Sequence, residues 1–114
     1  MLEGMVQTVT PAHLAELASN QIIDLVDVRD PDEWQAGHIA GARLVPLERL
    51  RADPDAALAR DIATVFICAK GVRSLQAAKL ADRFGYQRVY HLEGGVKAWA
   101  RAGQSLVAES RQAA

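Results

Sequence analysis

The single cysteine of this chain, Cys68, is the residue best placed to do chemistry. It follows residues 64–67, an apolar run of β-branched and aromatic character that predicts a buried strand. Residues 69–73 then form a loop with one glycine and two basic side chains, ahead of a predicted helix. Because ligands bind beyond the carboxyl ends of strands in parallel α/β sheets, this position suits a nucleophile.

The helix after the loop is expected to direct its amino end at the sulfur of Cys68. Ser74 is a candidate N-cap for this helix. The apolar residues that follow have helical spacing and form one face: Ala77, Leu80, Ala81 and Phe84. A helix amino end carries about half a positive charge, so it favours an anion close by.

The loop strengthens this effect. Lys70 and Arg73 carry full positive charges, and Gly71 allows successive N–H groups to turn towards one anion. We therefore expect Cys68 to be largely ionised at neutral pH. The alternative is an inert cysteine that closes a core strand, since free cysteine is among the most buried residue types. The basic, glycine-containing loop favours the reactive interpretation.

At these residues the chain resembles a known family. Residues 68–74 resemble the active-site loop of rhodanese-like sulfurtransferases, which commonly reads Cys-x-x-Gly-x-Arg-Ser. Residues 25–42 are similar to the amino-terminal signature of that family, a strand ending in Asp-x-Arg and then Glu-aromatic and Gly-His-Ile-x-Gly-Ala. Residues 92–99 resemble its carboxyl-terminal Gly-Gly-x-x-x-Trp signature. The resemblance covers about residues 8–103, with the motifs in the order of the family.

The resemblance implies catalysis through a persulfide on Cys68. A donor such as thiosulfate or a low-molecular-weight persulfide gives its outer sulfur to the thiolate. A thiophile then removes that sulfur, cyanide in an assay or a thiol in the cell. The anionic donor and the transferred sulfur would be bound by the loop residues Ala69, Lys70, Gly71, Val72, Arg73 and Ser74. No metal or organic cofactor is expected.

Four polar residues outside the loop are expected to be structural: Asp27, Arg29, Glu33 and His38. Arg29 follows a strand, so we expect it to form an ion pair with a nearby acid. His38 could act as a base towards Cys68, but a thiol acidified by its loop needs none, and we expect a hydrogen bond from His38 to the backbone. The resemblance implies that such residues brace the loops, so their loss should reduce stability first and rate second.

The spacing between the cysteine and the arginine separates two chemistries. Four residues stand between Cys68 and Arg73. Phosphatases and arsenate reductases related to the rhodanese-like family carry a Cys-x5-Arg loop, one residue longer, which surrounds a tetrahedral oxyanion. A shorter ring of N–H groups fits a single sulfur atom better, so the phosphatase hypothesis ranks lower.

Strand-like and helix-like patterns alternate along the chain, which predicts an α/β domain with a mostly parallel sheet. The resemblance implies about five short strands, with helices on both faces of the sheet. The pattern predicts strands over residues 22–28, 42–45, 64–67 and 88–91. It predicts helices from Thr10 and Pro11, from residue 30, within 47–60, from Ser74 to Gly85, and over 96–102.

Length and composition limit the organisation and the partners. With 114 residues, half of them hydrophobic, the chain fits one domain over 1–114, with a core of about 8–103 and a loose polar tail from 104. Thirteen basic and 14 acidic residues give a net charge of -1, so neither a nucleic-acid nor an anionic-membrane partner is expected. One cysteine excludes an internal disulfide and a cysteine-rich zinc site.

The amino terminus shows no secretory pattern, and no run approaches the ~20 apolar residues that cross a bilayer. We therefore expect a cytoplasmic, reducing environment. His13 and His91 lack the spacing of metal ligands. Trp34 and Trp99 are interpreted as packing residues, one of which could line the mouth of the pocket.

Two function classes remain open. One is a sulfurtransferase enzyme that turns over a small donor. The other is a carrier or regulatory module that passes sulfur to a partner protein or docks on one. A carrier would keep the same loop, so the loop alone cannot separate the two.

Overall fold

The computed structural model describes residues 6–108 as an α/β domain. Its strands are β1 Gln7–Val9, β2 Ile23–Asp27, β3 Arg43–Leu44, β4 Ala63–Ile67 and β5 Val89–Leu92. Its helices are α1 Pro11–Asn20, α2 Pro31–Ala36, α3 Leu47–Ala52, α4 Pro54–Ala57, α5 Val72–Arg83 and α6 Gly95–Arg101. No helix among these residues is long and apolar enough to cross a membrane.

The five strands form one parallel sheet in the order β1-β5-β4-β2-β3, which confirms the predicted fold class. All five residues of β4 are buried, as expected for a central strand covered on both faces. Asp27 pairs in register with Ile67, so the carboxyl ends of β2 and β4 lie level with each other. The residues that follow these strands therefore meet at one edge of the sheet.

Helices cover both faces of the sheet. On one face, side chains of α3, α4 and α5 pack against Val26, Phe66 and Val89. On the other face, α1 and α6 contribute Leu14, Val96 and Trp99, which pack against Val65 and Ile67 of β4. Successive side chains of β4 thus pack on opposite faces of the sheet, because side chains alternate along a strand. Cys68 belongs to the layer that contains α5.

Several boundaries differ from those predicted. Helix α5 begins at Val72 after Gly71, so Ser74 lies inside its first turn and is not the N-cap. Phe84 is 47% exposed and follows the last helical residue, so it is not part of the buried face. The sequence pattern does not predict strand β1, because three residues are too few to show alternation. The cap at Thr10 with proline at the first helical position is confirmed.

The first part of the predicted loose tail makes contacts in the structure. Val107 forms an isolated antiparallel bridge with His38, and the Trp99 indole donates to the carbonyl oxygen of Ser105 at 2.9 Å. Leu106 packs against the core layer of α1 and α6. These contacts hold residues 105–107, and the rest of the predicted tail, residues 109–114, lies outside the described residues.

Candidate active site

Cys68 stands at the carboxyl end of β4, at the base of a pocket of about 480 Å³. The residue is only 1% exposed, yet it is one of those that line the pocket. The other lining residues are Glu33, Ala69, Lys70, Val72, Arg73 and Lys97. Cys68 therefore borders the pocket, while protein covers nearly all of the residue.

Main-chain N–H groups point at the sulfur. The N–H of Gly71 donates to Cys68 Sγ at 3.0 Å, and the N–H of Ser74 donates to it at 3.2 Å. Gly71 has a φ of 107°, a left-handed conformation that glycine adopts readily, and it is the N-cap of the 12-residue helix α5. The positive end of the α5 dipole therefore lies at the sulfur, where it favours an anion.

A second helix orients the loop from the other side. The N–H groups of Val96 and Lys97, in the first turn of α6, donate to the carbonyl oxygens of Cys68 and Ala69 at 2.8 and 3.1 Å. Gly95 has a φ of 63°, and a Cβ at this position would overlap the Cys68 carbonyl oxygen and the carbonyl group of Ala69. The Gly-Gly signature thus permits α6 to approach the start of the loop and to bind its first two carbonyl oxygens.

Arg73 is engaged by Glu33, a contact that the sequence did not reveal. Its guanidinium donates to both carboxylate oxygens of Glu33, at 2.9 and 3.0 Å. The bond from Arg73 is the main cause that lowers the pKa of Glu33 from 4.5 to about 2, despite the opposing effect of burial. Glu33 therefore offsets the positive charge of Arg73, which still lines the pocket, and the binding of a donor by Arg73 stays a prediction.

The remaining cations of the pocket are lysines. Lys70 and Lys97 both line it, and neither takes part in an ion pair among residues 6–108. Lys97 was not singled out from the sequence, although it lies inside the Gly-Gly-x-x-x-Trp signature. With the pair of Glu33 and Arg73 neutral overall, these lysines leave the pocket positively charged.

The other three residues expected to be structural form contacts away from the sulfur. The guanidinium of Arg29 donates to both carboxylate oxygens of the fully buried Asp27, at distances from 2.9 to 3.2 Å, and to the carbonyl oxygen of Gly37 at 2.7 Å. His38 stacks on Trp34, with ring centroids 3.8 Å apart, and its Nδ1 lies 2.8 Å from the Trp34 carbonyl oxygen. Asp27, Arg29 and His38 do not line the pocket.

Behind the sulfur lies a polar contact that sequence reasoning missed. The hydroxyl oxygen of Ser74 is 3.4 Å from Cys68 Sγ and 3.3 Å from Nδ1 of His91. Burial lowers the pKa of His91, and the nearby charge of Glu93 only partly opposes this effect. A single histidine in an apolar strand gives no signal of such a contact, since only the fold brings it to Ser74.

The other aromatic and histidine side chains do not line this pocket. Trp34 donates from its indole to the carbonyl oxygen of Ala42, and Trp99 borders a separate groove beside Leu14 and Ile39. His13 lies on α1 and is exposed. Within residues 6–108, no three histidine, cysteine or acidic side chains are grouped so as to hold a metal ion.

Comparison with known proteins places the chain in a family. Residues 10–102 match the model of the rhodanese-like domain. The chain is 40% identical over 96 residues to the probable adenylyltransferase/sulfurtransferase MoeZ of Mycobacterium tuberculosis, covering 82% of this chain but only 24% of that protein. It is 34% identical over 93 residues to the thiosulfate sulfurtransferase GlpE of Pseudomonas aeruginosa, covering 82% of this chain and 83% of that one.

A solved structure agrees with these relatives. The crystal structure of a rhodanese-related protein from Thermoplasma volcanium superposes with a TM-score of 0.82 at 31% identity, covering 90% of this chain and 99% of that one. The family model and the solved structure are described as rhodanese-like and rhodanese-related, and both relatives carry the name sulfurtransferase, which agrees with the resemblance of the loop around Cys68. The chain belongs to the rhodanese-like domain family of sulfurtransferases.

Proposed function

We propose that this domain moves a sulfane sulfur from thiosulfate, or from a low-molecular-weight persulfide, to a thiophilic acceptor through a persulfide on Cys68. The observation that carries the proposal is the pair of N–H groups, from Gly71 and Ser74, that donate to a sulfur at the base of an open pocket. Such donors stabilise negative charge on sulfur.

In the first half-reaction the thiolate of Cys68 attacks the outer sulfur of thiosulfate. A bond forms between Sγ and that sulfur, the sulfur–sulfur bond of the donor breaks, and its electron pair leaves with sulfite. The negative charge of the thiolate ends on the terminal sulfur of the persulfide. Lys70 and Lys97 line the path by which the dianion enters and sulfite leaves, so they lower the electrostatic cost of both steps.

In the second half-reaction the acceptor attacks the terminal sulfur of the persulfide. The bond between the two sulfur atoms breaks, and its electron pair returns to Sγ as thiolate. With cyanide the product is thiocyanate, and with a thiol it is a new persulfide. The N–H groups of Gly71 and Ser74 favour this step as well, because they stabilise the leaving thiolate.

A protein acceptor or sulfur carrier is the second candidate. It is favoured by the relative MoeZ, whose name joins an adenylyltransferase to a sulfurtransferase and of which this chain spans 24%. Val72, at the rim of the pocket, is 67% exposed, so an acceptor larger than cyanide could approach it. In this case the first half-reaction is unchanged and only the acceptor differs.

Intact mass spectrometry tests the first half-reaction. After incubation with thiosulfate and removal of the excess, we expect a mass increase of one sulfur atom, which cyanide then removes. Cys68→Ala should show no increase, and Ser105→Ala, far from the pocket, should match the wild type. A folded wild-type protein that gains no sulfur from thiosulfate or from glutathione persulfide would contradict the proposal. Hydrolysis of an aryl phosphate that requires Cys68 would favour the phosphatase hypothesis in its place.

A further inference from the structure

Three side chains, those of Ser74, His91 and Thr8, form a row that starts at the sulfur of Cys68. Ser74 Oγ lies 3.4 Å from Cys68 Sγ, and His91 Nδ1 lies 3.3 Å from Ser74 Oγ. On the far side of the imidazole, Nε2 lies 3.1 Å from Thr8 Oγ1. Neither Ser74 nor His91 lines the pocket that contains Cys68.

The fold fixes this row of side chains. His91 pairs in register with Phe66 of β4 and with Thr8 of β1, so the three residues lie side by side across the sheet. Ser74 sits in the first turn of α5, which covers that face. Ser74 is fully buried and His91 is 7% exposed, whereas Thr8 is exposed. The row therefore connects a buried sulfur to the surface.

The hydrogen-bonding capacities of these groups allow two complete arrangements. With a thiol, S–H donates to Ser74, the Ser74 hydroxyl donates to His91 Nδ1, and Nε2–H donates to Thr8. With a thiolate, each bond is reversed: Thr8 donates to Nε2, Nδ1–H donates to Ser74, and the Ser74 hydroxyl donates to the sulfur. The N–H groups of Gly71 and Ser74 face the sulfur in both arrangements.

We propose that His91 is a positioning residue that, through Ser74, stabilises the thiolate of Cys68 and relays its proton to the surface at Thr8. One proton passes from sulfur to Ser74, from Ser74 to Nδ1, from Nε2 to Thr8, and from Thr8 to water. The imidazole changes its tautomer and stays neutral. This proposal rests on the proposed function, since it supplies the thiolate that the first half-reaction needs.

A relay of this kind needs a neutral imidazole, which can donate at one nitrogen and accept at the other. Burial lowers the pKa of His91, which favours the neutral ring. Three charged groups line a groove together with His91: Lys70 of the loop, Lys79 of α5 and Glu93 after β5. The charge of Glu93 favours protonation of the ring and opposes the larger effect of burial.

The rate of alkylation of Cys68 by iodoacetamide, measured against pH, tests the proposal without any sulfur transfer. The measured quantity is the pH at which the alkylation rate reaches half of its maximum, called the midpoint. Loss of a hydrogen bond to a charged group moves such a midpoint by about one pH unit, so His91→Leu and Ser74→Ala should each move it upwards by roughly this amount. Their double variant should move it no further than Ser74→Ala alone, because both changes break the same chain. Thr8→Val should cause a smaller shift in the same direction.

His91→Asn provides the rescue control. Its amide can take the place of Nδ1 and keep the bond to Ser74, so its midpoint should lie closer to the wild type than that of His91→Leu. Unchanged midpoints in folded His91→Leu and Thr8→Val, or additive shifts in the double variant, would overturn the proposal.

A measurement on the wild type does not depend on whether variants fold. In ¹⁵N-labelled protein, the NMR signals of the His91 ring nitrogens should show that the ring proton moves from Nε2 to Nδ1. This change should occur over the pH range in which Cys68 becomes reactive towards iodoacetamide. Ring signals that stay constant through this range would overturn the relay. If the tautomer changes but thiosulfate adds no sulfur, the proposed function fails and the relay stands. If thiosulfate adds a sulfur but the tautomer stays constant, the relay fails and the proposed function stands.

Discussion

At the scale of single residues, the charge balance of the pocket differs from the one that the motif alone indicates. The loop motif offers two cations, but Glu33 binds Arg73 through both of its carboxylate oxygens. Lys97 of α6 lines the same pocket and adds a cation that the loop motif does not contain. The affinity for an anionic donor should therefore depend on Glu33 and the lysines together.

Changing these charges should shift the KM for thiosulfate in opposite directions. Glu33→Gln removes the charge that neutralises Arg73, so we expect the KM to fall, whereas Lys97→Gln should raise it. One unit charge near the pocket is screened by water, so each shift should be roughly two- to tenfold. Steady-state kinetics at low and high salt measures both effects, which should weaken as salt is added.

Neighbouring charges serve as controls for these two variants. Asp32→Asn removes an exposed acid from the first turn of the same helix as Glu33, and Arg101→Gln removes an exposed cation from the last turn of α6. Neither residue lines the pocket, so both variants should keep the wild-type KM. Equal shifts in the control and the pocket variants would indicate a general effect of net charge.

At the scale of elements, two helix amino ends and the strand β4 build the site. The N-cap and the first turn of α5 supply the N–H groups that face the sulfur, and α6 binds carbonyl oxygens of Cys68 and Ala69. Gly95 allows this approach, because any side chain there would enter the space of Cys68 and Ala69. The reactivity of the sulfur is thus sensitive to a residue that never touches it.

Gly95→Ala should therefore disturb both the stability and the sulfur. The left-handed backbone alone costs about 1–3 kcal/mol for a residue other than glycine, and the overlap with the loop carbonyls adds to this cost. Gly103→Ala is the matched control, since Gly103 has a φ of 87° but no atom lies within 4 Å of the position that its Cβ would take. Urea denaturation should show a larger loss for Gly95→Ala, and only this variant should alter the alkylation of Cys68. Similar losses with unchanged alkylation would contradict the role of Gly95.

Local sequence patterns identified much of this architecture, and long-range contacts account for what they missed. An apolar run followed directly by a glycine-containing loop predicts the positions of Cys68 and Gly71, because both features lie within a few residues of each other. The partners Glu33 and Arg73 are 40 residues apart, so only the alignment of β2 with β4 brings them together. His91 is likewise joined to Ser74 by the packing of α5 on the sheet.

At the scale of the whole molecule, the ion pair between Glu33 and Arg73 connects the amino-terminal signature to the segment that follows Cys68. Glu33 lies on α2, after strand β2, and Arg73 lies on α5, after the neighbouring central strand β4. Glu33 also accepts from the N–H of Asp30 at 2.9 Å, which fixes it at the start of its helix. The pair thus joins two segments that are distant along the chain.

This pair gives the stability of the domain a defined dependence on pH. The pKa of Glu33 is about 2 in the folded protein and 4.5 ordinarily, because the carboxylate accepts from Arg73. Since the folded pKa is the lower one, the stabilisation is complete above about pH 4.5 and is lost as the pH falls towards about 2. Both side chains are about one third exposed, at 33% and 34%, so we expect a contribution of only about 1 kcal/mol.

Urea denaturation of the wild type and of Glu33→Gln, at steps from about pH 6 down to about pH 2, isolates this contribution. Asp55 also has a lowered pKa, because it accepts from Tyr86 and Arg60, so the wild-type curve alone would combine the two carboxylates. The difference between the two proteins removes the effect of Asp55. We expect that difference to be constant above about pH 4.5 and to shrink below it, because protonated Glu33 resembles glutamine. A difference that stays constant down to the lowest pH would show that Glu33 and Arg73 do not pair in solution.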